Sequence, residues 1–178
     1  GSGGAYDEFV ELHNPTDEEI DLSGYKLKSR GAGAENWLNR TGEGLKDLIM
    51  PAGSYLLLAS DGYTGSTSAD YKHDANWGFS DSGGSLRLEN GEEEVLDEVN
   101  YGENAEAGTE AALADISLGS LERKAGADSS AESMDGEEKY AGNAYDSDMD
   151  SDFVFKDLAD PQNSSSLYEP CAPPLPEP

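Results

Sequence analysis

Residues 8–27 read EFVELHNPTDEEIDLSGYKL, and this stretch predicts two short strands joined by a turn. Acidic and apolar side chains alternate in the first strand, as they do in a strand that packs one face against a core. The residues expected to reach that core are Phe9, Val10 and Leu12. The acids beside them, Glu8 and Glu11, are expected to stay in water. Turn residues then lead into a second strand at Leu27.

Further strand patterns follow along the chain. Residues 54–59, SYLLLA, predict a central strand that is covered on both sides. Residues 85–101 predict a hairpin, with Asn90-Gly91 as a two-residue type I′ turn. The remaining strands are expected in residues 117–124 and 152–156. Many short strands separated by turn signals favour an all-β sandwich.

The expected organisation is a flexible lead, one sandwich domain and a Pro-rich tail, at residues 1–5, 6–166 and 167–178. The domain has long acidic loops, and connections of that length are either disordered or functional. Residues 105–116 predict at most one or two helical turns, because a glycine interrupts them. The tail is expected to extend as a linker, and its Cys171 has no second cysteine in the chain with which to form a disulfide.

The order of these segments resembles the lamin tail domain family, an immunoglobulin-like β-sandwich that also occurs in secreted bacterial and archaeal proteins. The similar segments are residues 8–27, 52–59, 76–102, 120–124 and 142–164. The resemblance implies a fold rather than an activity, because sandwiches host many unrelated roles. It also implies a short apolar strand just before the first one described above. In that place this chain has the sequence GSGGA.

Without such a strand, the first strand or a neighbour has an unpaired edge, whose backbone groups face water or seek a partner. A strand from another copy can fill the edge by β-augmentation. The residues expected at this contact are Phe9, Val10 and Leu12 on the receiving strand, and Leu167 and Tyr168 on a C-terminal arm. The alternatives are that the strand lies outside this sequence or that the family pattern is misaligned here.

The charge of the chain limits its partners. The 178 residues include 38 acids and 11 bases, which give a formal charge of −27. A polyanion of this size repels nucleic acid, so we expect no nucleic-acid partner, although eukaryotic lamin tails are linked to chromatin. No apolar run predicts a membrane span. The expected partners are other copies or other cell-surface proteins, at an extracellular or cell-surface location. Solubility in a salty medium is the alternative explanation of the charge.

The segment YDSDMDSDF, residues 145–153, repeats aspartate at every second position. Its four carboxylates belong to Asp146, Asp148, Asp150 and Asp152. Hard cations bind several carboxylate and carbonyl oxygens at once, so the spacing predicts a Ca²⁺ site, and Ca²⁺ is the cofactor expected. The segment lacks the glycine and the flanking helices of an EF-hand. A solvated acidic loop is therefore the alternative interpretation.

We predict that the chain is not an enzyme. Its two histidines are His13, expected at the surface, and His73, expected in a loop, and the common hydrolase and nucleotide-binding motifs are missing from the sequence. Two sequons make Asn39 and Asn163 glycosylation candidates if the cell glycosylates secreted proteins.

These patterns predict a non-catalytic extracellular structural or cell-surface protein, which includes a self-assembling, fibre-type subunit joined by strand or tail exchange. Two alternatives remain open. One is an accessory binding domain of a larger secreted hydrolase or nuclease. The other is a Ca²⁺-dependent adhesion module.

Overall fold

The computed structural model of the protein describes residues 7–73, 77–80, 82–105 and 119–169. In these ranges the chain forms eleven strands, a short α-helix and a turn of 3-10 helix. The strands are β1 (Phe9–His13), β2 (Ile20–Asp21), β3 (Lys26–Gly31), β4 (Leu38–Asn39), β5 (Ile49–Met50), β6 (Tyr55–Ser60), β7 (Tyr71–His73), β8 (Gly83–Glu89), β9 (Val95–Gly102), β10 (Ser120–Arg123) and β11 (Phe153–Lys156). The helices are α1 (Ala131–Asp135) and the 3-10 turn Asp150–Asp152.

The described strands form two larger sheets and two ribbons. One sheet has the order β4-β3-β8-β9 with antiparallel neighbours throughout. The other has the order β1-β6-β7, in which β6 runs antiparallel to β1 and parallel to β7. The ribbons are β2-β5 and β10-β11. This architecture confirms the predicted all-β sandwich.

The central strand of the second sheet is β6, and all six of its residues are buried. This confirms the strand predicted at residues 54–59. One face of β6 supplies Leu56 and Leu58 to the main core, and Val10 and Leu12 of β1 pack against the same cluster. The other buried members of this core are Leu22, Leu27, Leu45, Met50 and Trp77.

The opposite face of β6 has its own apolar cluster. Leu57 and Ala59 are fully buried there, and Tyr63 joins them. Phe9 of β1 packs against this cluster, with its ring 6.1 Å from that of Tyr63. The three apolar residues of β1 therefore all contact a core, as the alternation of the sequence predicted, but on two different faces.

The hairpin of β8 and β9 confirms the pairing predicted for residues 85–101 but corrects its turn. The backbone N–H of Asn90 donates to the backbone carbonyl oxygen of Glu94, so the loop is longer than a two-residue turn. Its left-handed residue is Glu93, with a φ of 66°, rather than the glycine. The Asn90 side chain explains the difference, because its oxygen accepts from the amides of Glu92 and Glu94 at 2.9 and 3.0 Å.

The C-terminal part of the fold contains β10, α1 and β11. The two strands confirm those predicted in 117–124 and 152–156. Helix α1 falls in a stretch predicted as loop, and it begins at Ala131 after the N-cap residue Ser130, whose side chain accepts from the Ser133 backbone amide. The lead, the tail beyond residue 169 with Cys171, and the helical turns predicted in 105–116, apart from residue 105, lie outside the described residues.

Candidate interaction site

β1 lies at the edge of its sheet. Among the described strands it pairs with β6 alone, from Phe9 opposite Ala59 to His13 opposite Tyr55. Its side chains are half-buried on both faces. A strand edge that has one neighbour presents backbone N–H and C=O groups on its other side. Among the described strands, β1 is therefore one of the edges to which an added segment could pair.

The expectation that Glu8, just before β1, and Glu11, within it, stay in water was wrong. A carboxylate oxygen of Glu8 accepts from the Phe79 amide at 2.6 Å. The Glu11 carboxylate accepts from the Gln162 amide and is largely desolvated. This burial raises the pKa of Glu11 to about 8, and the nearby carboxylates of Glu122 and Glu169 act in the same direction. Residues far away in the sequence therefore cover the face of β1 that the alternation of acidic and apolar residues had predicted to be exposed to water.

His13 is also misplaced by the sequence analysis, which put it at the surface. Its ring stacks on Tyr55, with the centroids 4.5 Å apart and the planes at 18°. Burial lowers the pKa of His13, and the Gly53 backbone lies near the ring. The Tyr55 hydroxyl is buried beside Gln162 and Glu169, and desolvation raises its pKa. This region is a polar layer within the fold, formed by Glu11, His13, Tyr55, Gln162 and Glu169.

The end of the described chain is held by Glu169. Its amide donates to the Gly53 carbonyl at 2.9 Å, and its carboxylate accepts from the Gly142 amide at 2.9 Å and from the Gln162 side chain at 3.1 Å. Leu167 and Tyr168, just before this anchor, are 73% and 55% exposed. The packed structure therefore continues to Glu169, three residues past the boundary predicted at 166, and both residues of the predicted arm face water.

The four aspartates of the predicted Ca²⁺ site have separate environments. Asp152 is buried and accepts from the amides of Ser147 and Met149, at 2.6 and 3.2 Å, so it caps its own loop. Asp146 pairs with Arg123 at 3.0 Å. Asp150 is buried near Asn100, and Asp148 is exposed with a φ of 60°.

The described residues contain no group of three or more His, Cys, Asp or Glu side chains arranged to hold a metal ion. The fit of Ca²⁺ to the aspartate segment therefore depends on a rearrangement of Asp146, Asp148 and Asp150 toward one another. Asp152 would have to give up backbone hydrogen bonds to join them. The Ca²⁺ site stays a prediction.

We expect millimolar Ca²⁺ to raise the melting temperature and a chelator to reverse the rise, because a divalent ion relieves repulsion among the carboxylates and binds only the folded chain. Thermal melts at constant ionic strength measure this. The double variant Asp146→Asn/Asp148→Asn should lose the response, whereas the exposed pair Asp17→Asn/Asp128→Asn should keep it. An identical melt with Ca²⁺ and with chelator would contradict the site.

A groove of about 300 Å³ lies between β9 and the aspartate segment. Arg123 is one of the residues that line it, and one of its guanidinium nitrogens contacts both Asp97 oxygens at 2.6 and 2.7 Å while another contacts Asp146. The guanidinium also lies over the Phe153 ring, 4.6 Å from its centroid. The sequence analysis missed this groove because Asp97, Arg123 and Asp146 are each more than twenty residues apart.

The asparagine side chains of both sequons form hydrogen bonds within the fold. The Asn39 amide donates to the Gly42 carbonyl, and its oxygen accepts from the Thr41 amide at 2.9 Å. The Asn163 amide donates to the Ser68 carbonyl at 2.8 Å. Asn39 is exposed and Asn163 is half-buried. Glycosylation at either position stays a prediction.

The fold and its edges define a class of protein, an immunoglobulin-like β-sandwich whose described residues present open strand edges. Residues 1–103 match the lamin tail domain family, and the chain belongs to that family. This is a generally non-enzymatic domain. No curated protein matches the chain. No helix in the described ranges is long and apolar enough to cross a membrane.

Proposed function

We propose that the chain is a non-catalytic extracellular or cell-surface structural protein that joins other copies of itself by strand addition at β1. The observation that carries this proposal is the position of β1 at the edge of the sheet β1-β6-β7. Backbone hydrogen bonds to such an edge provide affinity, and alternate side chains provide specificity. Phe9, Val10 and Leu12 lie on this strand and already contact the apolar clusters.

The C-terminal arm supplies the donor side of the contact. Leu167 and Tyr168 are exposed apolar residues that Glu169, the next residue, holds at the surface of their own domain, where they can contact the next copy. An arm that docks on the next copy makes a head-to-tail contact. Because such a contact is heterologous and does not have to close into a ring, it builds a fibre.

The net charge of −27 opposes contact between copies. Salt shortens the range of this repulsion to about 8 Å at physiological ionic strength and about 3 Å at 1 M. Association of this chain therefore needs salt or divalent cations, and it strengthens as they are added. This dependence distinguishes strand addition from association by opposite charges, which salt weakens.

The double variant Leu167→Ala/Tyr168→Ala tests the arm while it leaves the Glu169 anchor in place. Static light scattering and negative-stain microscopy, from 0.15 to 2 M salt, should show assemblies for the parent chain and monomers for the variant. Leu158→Ala is the matched control, because Leu158 is 83% exposed outside the arm. Parent and variant that are both stable monomers throughout, or that assemble equally, would contradict the proposal.

A further inference from the structure

We propose that β9 and the groove beside it form a second docking site, which takes an extended basic segment of a different protein. The segment would add as a fifth strand to the sheet β4-β3-β8-β9, in which β9 pairs with β8 alone among the described strands. This site is separate from β1, which belongs to the other sheet. It would let a structural module of the proposed kind hold a partner other than itself.

The walls of the groove are partly apolar. Val95 and Leu96 of β9 are 50% and 49% exposed, and Met149 on the facing segment is 45% exposed. The groove volume of about 300 Å³ is at the lower limit for ligand sites, so it holds a few side chains rather than a folded domain. Apolar side chains and the methylene stems of long basic ones can cover these walls.

The charge of the groove selects a basic segment. The lining residues include five carboxylates and one cation, Arg123. The carboxylates are those of Asp97, Glu98, Asp146, Asp148 and Asp150. Arg123 contacts Asp97 and Asp146, and Arg30 of β3 lies 3.9 Å from Glu98, so two cations face the five carboxylates and the groove keeps a net negative charge. Lysine or arginine side chains of an incoming strand would neutralise the remaining negative charge of the groove, and an acidic strand would be repelled.

A second copy of this chain is a poor occupant. In this chain, the described strand in which basic side chains occupy every second position is β3, with Lys26, Lys28 and Arg30. That strand is already paired with β8 on one side and with β4 on the other over Lys28 and Ser29. The net charge of a copy is also negative. The occupant is therefore a segment of another protein that alternates basic and apolar side chains.

A blocked ten-residue peptide of alternating lysine and valine, used at concentrations at which it is monomeric, is the probe. Fluorescence anisotropy at 0.15 M salt should show saturable binding to the parent chain. The matching peptide of alternating glutamate and valine should not bind. A lysine–valine peptide that is N-methylated at every residue should bind about tenfold more weakly, because neither of its edges can donate backbone hydrogen bonds to β9.

The variant Glu98→Gln/Asp148→Asn removes two groove charges, and asparagine tolerates the left-handed backbone at position 148. It should weaken binding of the lysine–valine peptide about tenfold. The control Glu19→Gln/Glu43→Gln makes the same change in net charge at exposed positions outside the groove and should alter binding less than twofold. Equal effects of the two variants, equal binding of the methylated peptide, or no binding by the parent chain would each overturn the proposal.

Discussion

Replacing Glu11 with glutamine is expected to make the protein more stable than its parent at pH 8. The folded state raises the pKa of Glu11 to about 8 by burial, whereas an unfolded chain has an ordinary carboxyl. Between these two values the folded state holds a proton that the unfolded state releases. The free energy of unfolding therefore falls as pH rises through this window, by about 1.4 kcal/mol per pH unit for one group.

The best range for this test is pH 6.5 to 8. Burial lowers the pKa of His13, so this residue changes stability below about pH 6.5 and in the opposite direction. From pH 6.5 to 8 the parent should lose ~2 kcal/mol through Glu11. Glutamine resembles the protonated carboxyl and should remove this loss.

Urea denaturation at several pH values measures the effect. The control is Glu19→Gln, which removes one carboxylate from an exposed position. It should keep the pH dependence of the parent. The contradicting result is that Glu11→Gln and Glu19→Gln both keep the parent's dependence of the free energy of unfolding on pH. Glu11 would then be ionised in the folded protein, and the polar layer would not desolvate it.

The second large effect is expected for Trp77→Ala, which should cost about 3–5 kcal/mol of stability. Trp77 is 1% exposed in the main core, and its ring lies 5.6 Å from that of Phe79. Its indole N–H donates to the Arg40 carbonyl at 2.7 Å, so truncation also leaves that carbonyl without this donor. The loss combines a cavity with the loss of a partly buried hydrogen bond.

Trp37→Ala is the matched control for Trp77→Ala. Trp37 is half-buried and lies beneath the guanidinium groups of Arg30 and Arg87, 4.6 and 4.2 Å from its ring centroid. Each contact of this kind contributes about 0.5–1 kcal/mol when exposed, so the control should lose ~1–2 kcal/mol. Urea denaturation compares the two variants. Equal losses would show that Trp77 does not hold the core together.

The strands could be predicted because they depend on neighbours in sequence. Alternation placed Phe9 and Val10 in contact with a core, and the apolar run at 54–59 identified β6 as the central strand. The environment of Glu11 could not be predicted in the same way. Its partner, Gln162, is 151 residues away, and the alternation of β1 carries no information about what covers that face.

The candidate sites were predicted less well for a related reason. Regular spacing suggested that four aspartates share one ion, yet Asp152 satisfies the backbone amides of Ser147 and Met149, and Asp146 pairs with Arg123. Local hydrogen bonds and a distant cation compete for these carboxylates. The spacing of the aspartates in the sequence does not show which of these partners each carboxylate binds. The unpaired edge at β1 or a neighbour was easier to anticipate, because the family resemblance implies a preceding strand where this chain has the sequence GSGGA.

Hydrogen exchange at the amides of β1, residues 9–13, tests the central claim most directly. Strand addition at β1 predicts that exchange at the outward-facing amides slows as protein and salt concentrations rise, while amides of β6, already paired with β1, change little. The Leu167→Ala/Tyr168→Ala variant should remove the slowing. Assemblies that form while the β1 amides exchange at the monomer's rate would contradict strand addition at this edge.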